Sequence, residues 1–183
     1  MKSLLVKYKL VIKFIITFLL VYVGLSLLYK FYLQFSVGSA YYPDYLTHLV
    51  AKQSEALFKA LGYQVEMLPH PNEPSVMVMI ENVYTARIIE GCNSLSVIIL
   101  FVSFIMAFAS NFKNTFLYML SGSVLIYSIN LFRIVILTLG LYHYPKQEAF
   151  LHTVVFPAII YGFVFLLWIF WVNRFSEIKQ KDA

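Results

Sequence analysis

A single cysteine among 183 residues excludes an intramolecular disulfide and any zinc site built on several thiolates, so Cys92 has to be explained alone. Charge is also scarce: 13% of residues are Asp, Glu, Lys or Arg, against 61% hydrophobic and 18% aromatic. A soluble domain of this length could not bury that much apolar surface, so the chain belongs in a membrane. The sequence lacks a glycine-rich phosphate loop, a paired-carboxylate constellation and metal-ligand spacing such as HExxH, and no metal or cofactor is expected. Repeats, heptads and low-complexity tracts are missing as well. The net charge of +5 does not signal nucleic acid, because the basic residues flank apolar runs instead of lining a polar, aromatic-interleaved patch.

The first apolar run covers residues 11–31, long enough at about 1.5 Å per residue to cross a hydrocarbon core of about 30 Å. Lys2, Lys7, Lys9 and Lys13 crowd its front, which places the N-terminus in the cytoplasm. The run also exceeds the apolar core of a signal peptide and reads as a retained helix, with cleavage at the small-residue stretch Gly38-Ser39-Ala40 as the rival. Further apolar runs at 92–109, 116–141 and 150–172 complete four crossings. Lys113 in the middle turn and Arg174, Lys179 and Lys181 in the tail then share the cytoplasmic side with the N-terminus.

Residues 34–91 form the aqueous part, with Pro43, Pro69, Pro71 and Pro74. Apolar positions from Leu46 to Leu61 recur at helical spacing, with Asp44 as N-cap and Gly62 as the stop. Residues 63–68 and 75–89 are rich in β-branched and aromatic side chains and predict a hairpin around the proline turn at 69–74, with a further bend at Glu81-Asn82. Tyr41, Tyr42 and Tyr45 suit a water–lipid boundary. The expected fold is an all-α polytopic membrane protein of about four transmembrane helices with a small extracytoplasmic helix-plus-β-hairpin insertion. Its units are the first helix (1–33), the insertion (34–91), a three-helix core (92–172) and a cytoplasmic tail (173–183).

Three separate segments deliver Cys92, Arg133 and His152 to the outer face. Cys92 starts the second helix, Arg133 lies about 25 Å along the third, and His152 falls in the first turn of the fourth. Each has a bland alternative: a small buried hydrophobe, a snorkelling cation, and a histidine bonded to headgroups. As a set they suit nucleophilic acyl transfer. The sulfur attacks, the imidazole moves protons, and the guanidinium, which holds its own proton, stabilises developing negative charge.

Asn130 shares a helix face with Arg133, and Glu148 lies four residues before His152, as an orienting carboxylate or a solvated loop charge. Glu90 could pair with Arg133 or sit at the interface. His143 competes with His152 for the proton-transfer role, while His48 and His70 read as surface residues. Pro157 predicts a kink below His152, and Trp168 and Trp171 an aromatic belt at the cytoplasmic end.

The segments Glu90-Gly91-Cys92-Asn93-Ser94-Leu95 and Asn130-Leu131-Phe132-Arg133-Ile134, followed by His152, resemble the exosortase/archaeosortase family of membrane cysteine enzymes, most of all its compact F-type exosortases. The resemblance covers about residues 81–172. It implies a catalytic trio of Cys92, Arg133 and His152, supported by Glu90, Asn93, Asn130 and Glu148. It further implies a cysteine transpeptidase or protease of the bacterial inner membrane with its site on the extracytoplasmic side. Such an enzyme cleaves exported proteins that end in a short motif, a transmembrane helix and a basic tail, and passes them to a lipid or glycan acceptor of the envelope. Family members often have glycine two residues after the cysteine, where this chain has Ser94. The alternative from another class is a non-enzymatic assembly subunit of a secretion or polysaccharide export system, organised by an Arg133–Glu90 pair. A small transporter is disfavoured because no inverted repeat is present.

Overall fold

A computed structural model of the chain describes residues 8–36 and 42–174, with the side chains of Glu148, His152 and Phe156 outside the described part. Lys2, Lys7, the Gly38-Ser39-Ala40 stretch, Tyr41, Lys179 and Lys181 lie outside the described residues. The element order is α1 (Lys9–Ser36), α2 (Tyr45–Ala60), β1 (Val65–Pro69), β2 (Ser75–Ile80), β3 (Val83–Ile89), a 3-10 turn (Glu90–Cys92), α3 (Leu95–Ala107), α4 (Phe112–His143) and α5 (Phe156–Arg174).

Three helical stretches are long and apolar enough to cross a membrane: Lys9–Ser36, Phe112–His143 and Thr153–Arg174. Large apolar side chains such as Leu20, Val124 and Leu166 stand exposed along them, as a lipid-facing surface requires. The second expected crossing is shorter than its apolar run. α3 has 13 residues, about 20 Å, because the chain ahead of it is taken up by the 3-10 turn and a left-handed residue. α4 has 32 residues, about 48 Å, and overshoots a single hydrocarbon core.

That overshoot joins two cores. In the helical bundle, Ile126 of α4 packs with Phe101 and Ile105 of α3 and with Ile160, Val164 and Trp171 of α5. Farther along the same helix, Ile134 and Val135 pack with Val50, Ala51 and Phe58 of α2 and with Val65, Val78, Ile80 and Ile88 of the sheet. Arg133 therefore stands where α4 passes from one core to the other. Trp171, expected in an aromatic belt at the cytoplasmic end, is instead fully buried, and its Nε1 donates to the Phe108 carbonyl at 3.1 Å. Trp168 stacks on Phe104, with ring centroids 4.4 Å apart.

Close helix contact is local chemistry at Gly122. A Cβ built there would lie 2.6 Å from Cε1 of Phe101, a ring with no exposed surface. Gly122→Ala is expected to destabilise the bundle by about 1–3 kcal/mol through overpacking, read as a lower thermal midpoint in detergent; an unchanged midpoint would refute the contact.

α2 begins and ends where its sequence signals it. The Asp44 side chain accepts from Thr47 N at 3.0 Å, and Gly62 follows the helix at φ 87°, in the left-handed region that glycine occupies without strain. On its exposed face Lys59 and Lys52 flank Glu55, and the Lys59 hydrogen bond holds that carboxyl below its ordinary range. The expected hairpin is a three-stranded antiparallel sheet in the order β1-β2-β3. The anticipated bend at Glu81-Asn82 is a full second hairpin turn: both residues have positive φ, 50° and 65°, as a two-residue turn matching strand twist requires.

Pro157 follows directly on a π-helical turn, Leu151–Val155, that contains His152 and runs without a break into α5, a widened turn of the kind that accommodates a proline within a membrane helix.

Candidate active site

β3 passes directly into the turn Glu90–Cys92, and Cys92 is half-buried just ahead of α3 instead of inside its first turn. Two residues shape the step into the helix. Asn93 is 3% exposed; its Oδ1 accepts from Leu95 N at 2.9 Å, capping α3 from the side chain. Ser94 is buried in the left-handed region, at φ 64° and ψ −1°, and its hydroxyl donates to the Asn93 carbonyl at 2.6 Å. The left-handed conformation costs a residue with a Cβ about 1–2 kcal/mol, and glycine would occupy this position without that strain. Ser94→Gly is accordingly expected to keep the turn and raise stability by up to about 1 kcal/mol, whereas Ser94→Val should lower it; thermal melts of the three proteins measure the order.

The Cys92 turn is tied down from two sides. From α4, the fully buried Asn130 donates Nδ2 to the Cys92 carbonyl at 2.7 Å, while its Oδ1 accepts from Arg133 Nη1 at 3.2 Å. One amide thus links the backbone of Cys92 to the guanidinium 41 residues later, and the i, i+3 spacing is what lets Asn130 and Arg133 meet. From the other side, Asn93 Nδ2 donates to Tyr29 Oη of α1 at 2.9 Å and to Thr47 Oγ1 of α2 at 3.4 Å. Tyr32 extends this brace by donating to Asp44 Oδ1 at 3.2 Å and accepting from Leu46 N at 3.2 Å. α1, α2 and the Cys92 turn are therefore held as one unit.

Arg133 is half-buried, with Asn130 as its side-chain partner and a buried Nε left without one. Among the described residues no carboxylate lies within ion-pair distance of it, and Glu90 stands exposed at the rim of a cleft of about 340 Å³ with Lys30, Gln34 and Asp44. A guanidinium with no ion-pair partner among the described residues, joined through Asn130 to the cysteine turn, has capacity to bind an anion.

The histidines separate less completely. The backbone of His152 is in the π turn beside the last third of α4: a Cβ on Gly140 would lie 3.3 Å from the side chain of its neighbour Leu151. The side chains of His152 and of Glu148, its expected orienting partner, are outside the described part. His143 is ten residues beyond Arg133 on α4, about 15 Å farther along, and its Nε2 lies 3.3 Å from Tyr63 Oη. His70 accepts from Asn72 N within the β1–β2 loop.

Sequence reasoning picked out Cys92, Arg133, Asn93 and Asn130 but missed Tyr29, Tyr32 and Thr47. The only available signal was a pair of tyrosines at i, i+3 near the end of an apolar run, which reads equally well as an interfacial belt.

The family model described as transmembrane exosortase (Exosortase_EpsH) matches residues 6–173, nearly the whole chain. No curated protein and no solved structure matches it.

Proposed function

The chain belongs to the transmembrane exosortase family, and from that premise we propose that it is a membrane cysteine transpeptidase whose catalytic residues are Cys92, Arg133 and His152. A membrane-embedded sorting enzyme is the family's general role; the residue assignment is carried by the Asn130 amide, which brackets the Cys92 carbonyl and the Arg133 guanidinium together.

In this reading the Cys92 sulfur attacks the carbonyl carbon of the scissile peptide bond and its proton passes to His152. The carbonyl oxygen becomes an oxyanion facing Arg133, which among the described residues has no carboxylate within ion-pair distance. As the intermediate collapses, the C–N bond breaks, His152 returns the proton to the leaving amine, and a thioester links the substrate to Cys92. An amine or hydroxyl of a lipid or glycan acceptor, or water, then gives its proton to His152 and attacks the thioester, and the released sulfur takes that proton back from His152.

The charge distribution supports a topology with both termini in the cytoplasm and the site on the extracytoplasmic side of the inner membrane, with residues 34–91 contacting the exported substrate there. Asn93, Asn130 and Glu148 would act as positioning residues. Glu90, exposed and apart from Arg133, belongs to the cleft rim. The scaffold reading required an Arg133–Glu90 pair, and the guanidinium is bonded to Asn130 instead.

The test is to trap the thioester. The full chain in lipid vesicles is mixed with a tagged reporter carrying the C-terminal segment of an exported protein that ends in a short motif, a transmembrane helix and a basic cluster. A covalent adduct that hydroxylamine releases is expected. Processing of the reporter with no adduct at any time point would refute a cysteine-bound intermediate.

A further inference from the structure

The two outer edges of the sheet are built differently. β1 carries Glu66 and ends in Pro69, and charge and proline both discourage further strand pairing. β3 has no proline, and its one charge, Arg87, is paired with Glu73 of the β1–β2 loop. Val83, Tyr84 and Ile89 of β3 are 55%, 50% and 43% exposed. Among the described residues, the side of β3 away from β2 makes no backbone hydrogen bond to another element. A register shift opposite Val78 and Met79 leaves Thr85 as an extra residue, so the regular stretch of this free edge is 86–89, and Glu90–Cys92 follows it without a break.

We propose that the free edge of β3 is the docking strand for the extended segment of the exported substrate that lies just ahead of its membrane helix, and that it leads that segment to Cys92. This rests on the catalytic reading of Cys92 given above. The occupant follows from continuity with the nucleophile and from the needs of the reaction. A peptide bond inside a helix has its carbonyl engaged and its faces covered, so a cysteine nucleophile needs its substrate extended. Strand pairing imposes that conformation through main-chain hydrogen bonds between strands about 4.8 Å apart. A peptide paired along 86–89 therefore has the residues just beyond Ile89 within a side chain's reach of the Cys92 turn. Main-chain pairing reads no sequence by itself; discrimination comes from every second side chain, which meets the exposed Tyr84 and Ile89 on one face of the edge.

The experiment uses the full chain in lipid vesicles with the tagged reporter described above. A benzophenone amino acid is placed at Ile89, or at the similarly exposed Leu68 of β1 as the control edge, in a Cys92→Ala background that retains the reporter. Crosslinking at Ile89 at least tenfold above Leu68, mapped to residues just before the reporter's membrane helix, is expected. In parallel, reporters N-methylated at single amides in that segment are assayed with the unaltered enzyme. KM is expected to rise at least fivefold at alternate positions with kcat kept, a pattern that side-chain recognition alone does not produce. Crosslinks no stronger at Ile89 than at Leu68, or N-methylation without alternation, in a protein whose processing depends on Cys92, would overturn the docking strand and leave the catalytic reading standing. Crosslinking confined to Ile89 with processing indifferent to Cys92→Ala would do the reverse.

Discussion

Replacing Cys92 by Ala is expected to reduce reporter processing at least about 10³-fold and to abolish the hydroxylamine-sensitive adduct. The chain contains no second cysteine to substitute for it. The change removes one sulfur from a half-buried position whose role in holding the turn belongs to its backbone carbonyl, and Ala keeps that carbonyl and its bond to Asn130. Protein level and thermal midpoint should therefore stay close to the parent, separating lost chemistry from lost fold. Cys92→Ser, nearly the same size but a far weaker nucleophile at neutral pH, should behave alike. Undiminished processing by Cys92→Ala at normal protein level would end the proposal.

Arg133→Lys should cost about 10²-fold in kcat with a smaller change in KM, because a stabiliser of developing charge acts in the transition state and not in the bound complex. Both side chains carry +1, so a purely electrostatic requirement would be met by lysine. What lysine lacks is the planar fork that lets one nitrogen bond Asn130 Oδ1 while the others remain for substrate. Asn130→Leu tests the joint itself. It leaves the Cys92 carbonyl without its buried donor, at about 1–3 kcal/mol, and frees the guanidinium from its anchor, so stability and kcat should fall together. Asn130→Asp keeps an acceptor for Arg133 but faces the Cys92 carbonyl with a carboxylate, and it should lose activity even where the fold survives. Wild-type kinetics in Arg133→Lys would show that the fork is not required, and wild-type kinetics in Arg133→Gln as well would assign the residue to snorkelling instead.

These effects depend on contacts of different legibility. The capped helix α2 could be read directly, since Asp44 and Gly62 act within a turn of their own position. The turn at Glu81-Asn82 was legible as a bend and not as the start of a third strand, because pairing of β3 depends on a partner and not on its own residues. The apolar run at 92–109 overstated α3, since composition does not register that Ser94 turns left-handed and delays the helix to Leu95. Trp171 looked like a belt residue because it falls near the cytoplasmic end of an apolar run; only the packing of α5 on α3 turns its indole inward, to the carbonyl of Phe108.

At the site, residue type and order pointed to Cys92, Arg133 and His152, and helix periodicity put Asn130 beside Arg133. Periodicity had no bearing on whether Asn130 reaches the Cys92 carbonyl, or whether Asn93 finds Tyr29 and Thr47, since those bonds join segments 38, 64 and 46 residues apart.

What the sequence by itself determined is the set of apolar segments, their charge-biased flanks, the capped helix of the insertion and the three chemically capable side chains. All of these follow from interactions within one or two turns of chain or between a segment and its solvent. Only the tertiary structure decided that one long helix runs through both cores, that a single buried amide ties the cysteine turn to the guanidinium, and that β3 keeps a free edge ending at that turn. Each of these depends on which faces of distant segments come together, and a buried polar group such as Asn130 discloses its role only when the partner that satisfies it is in place.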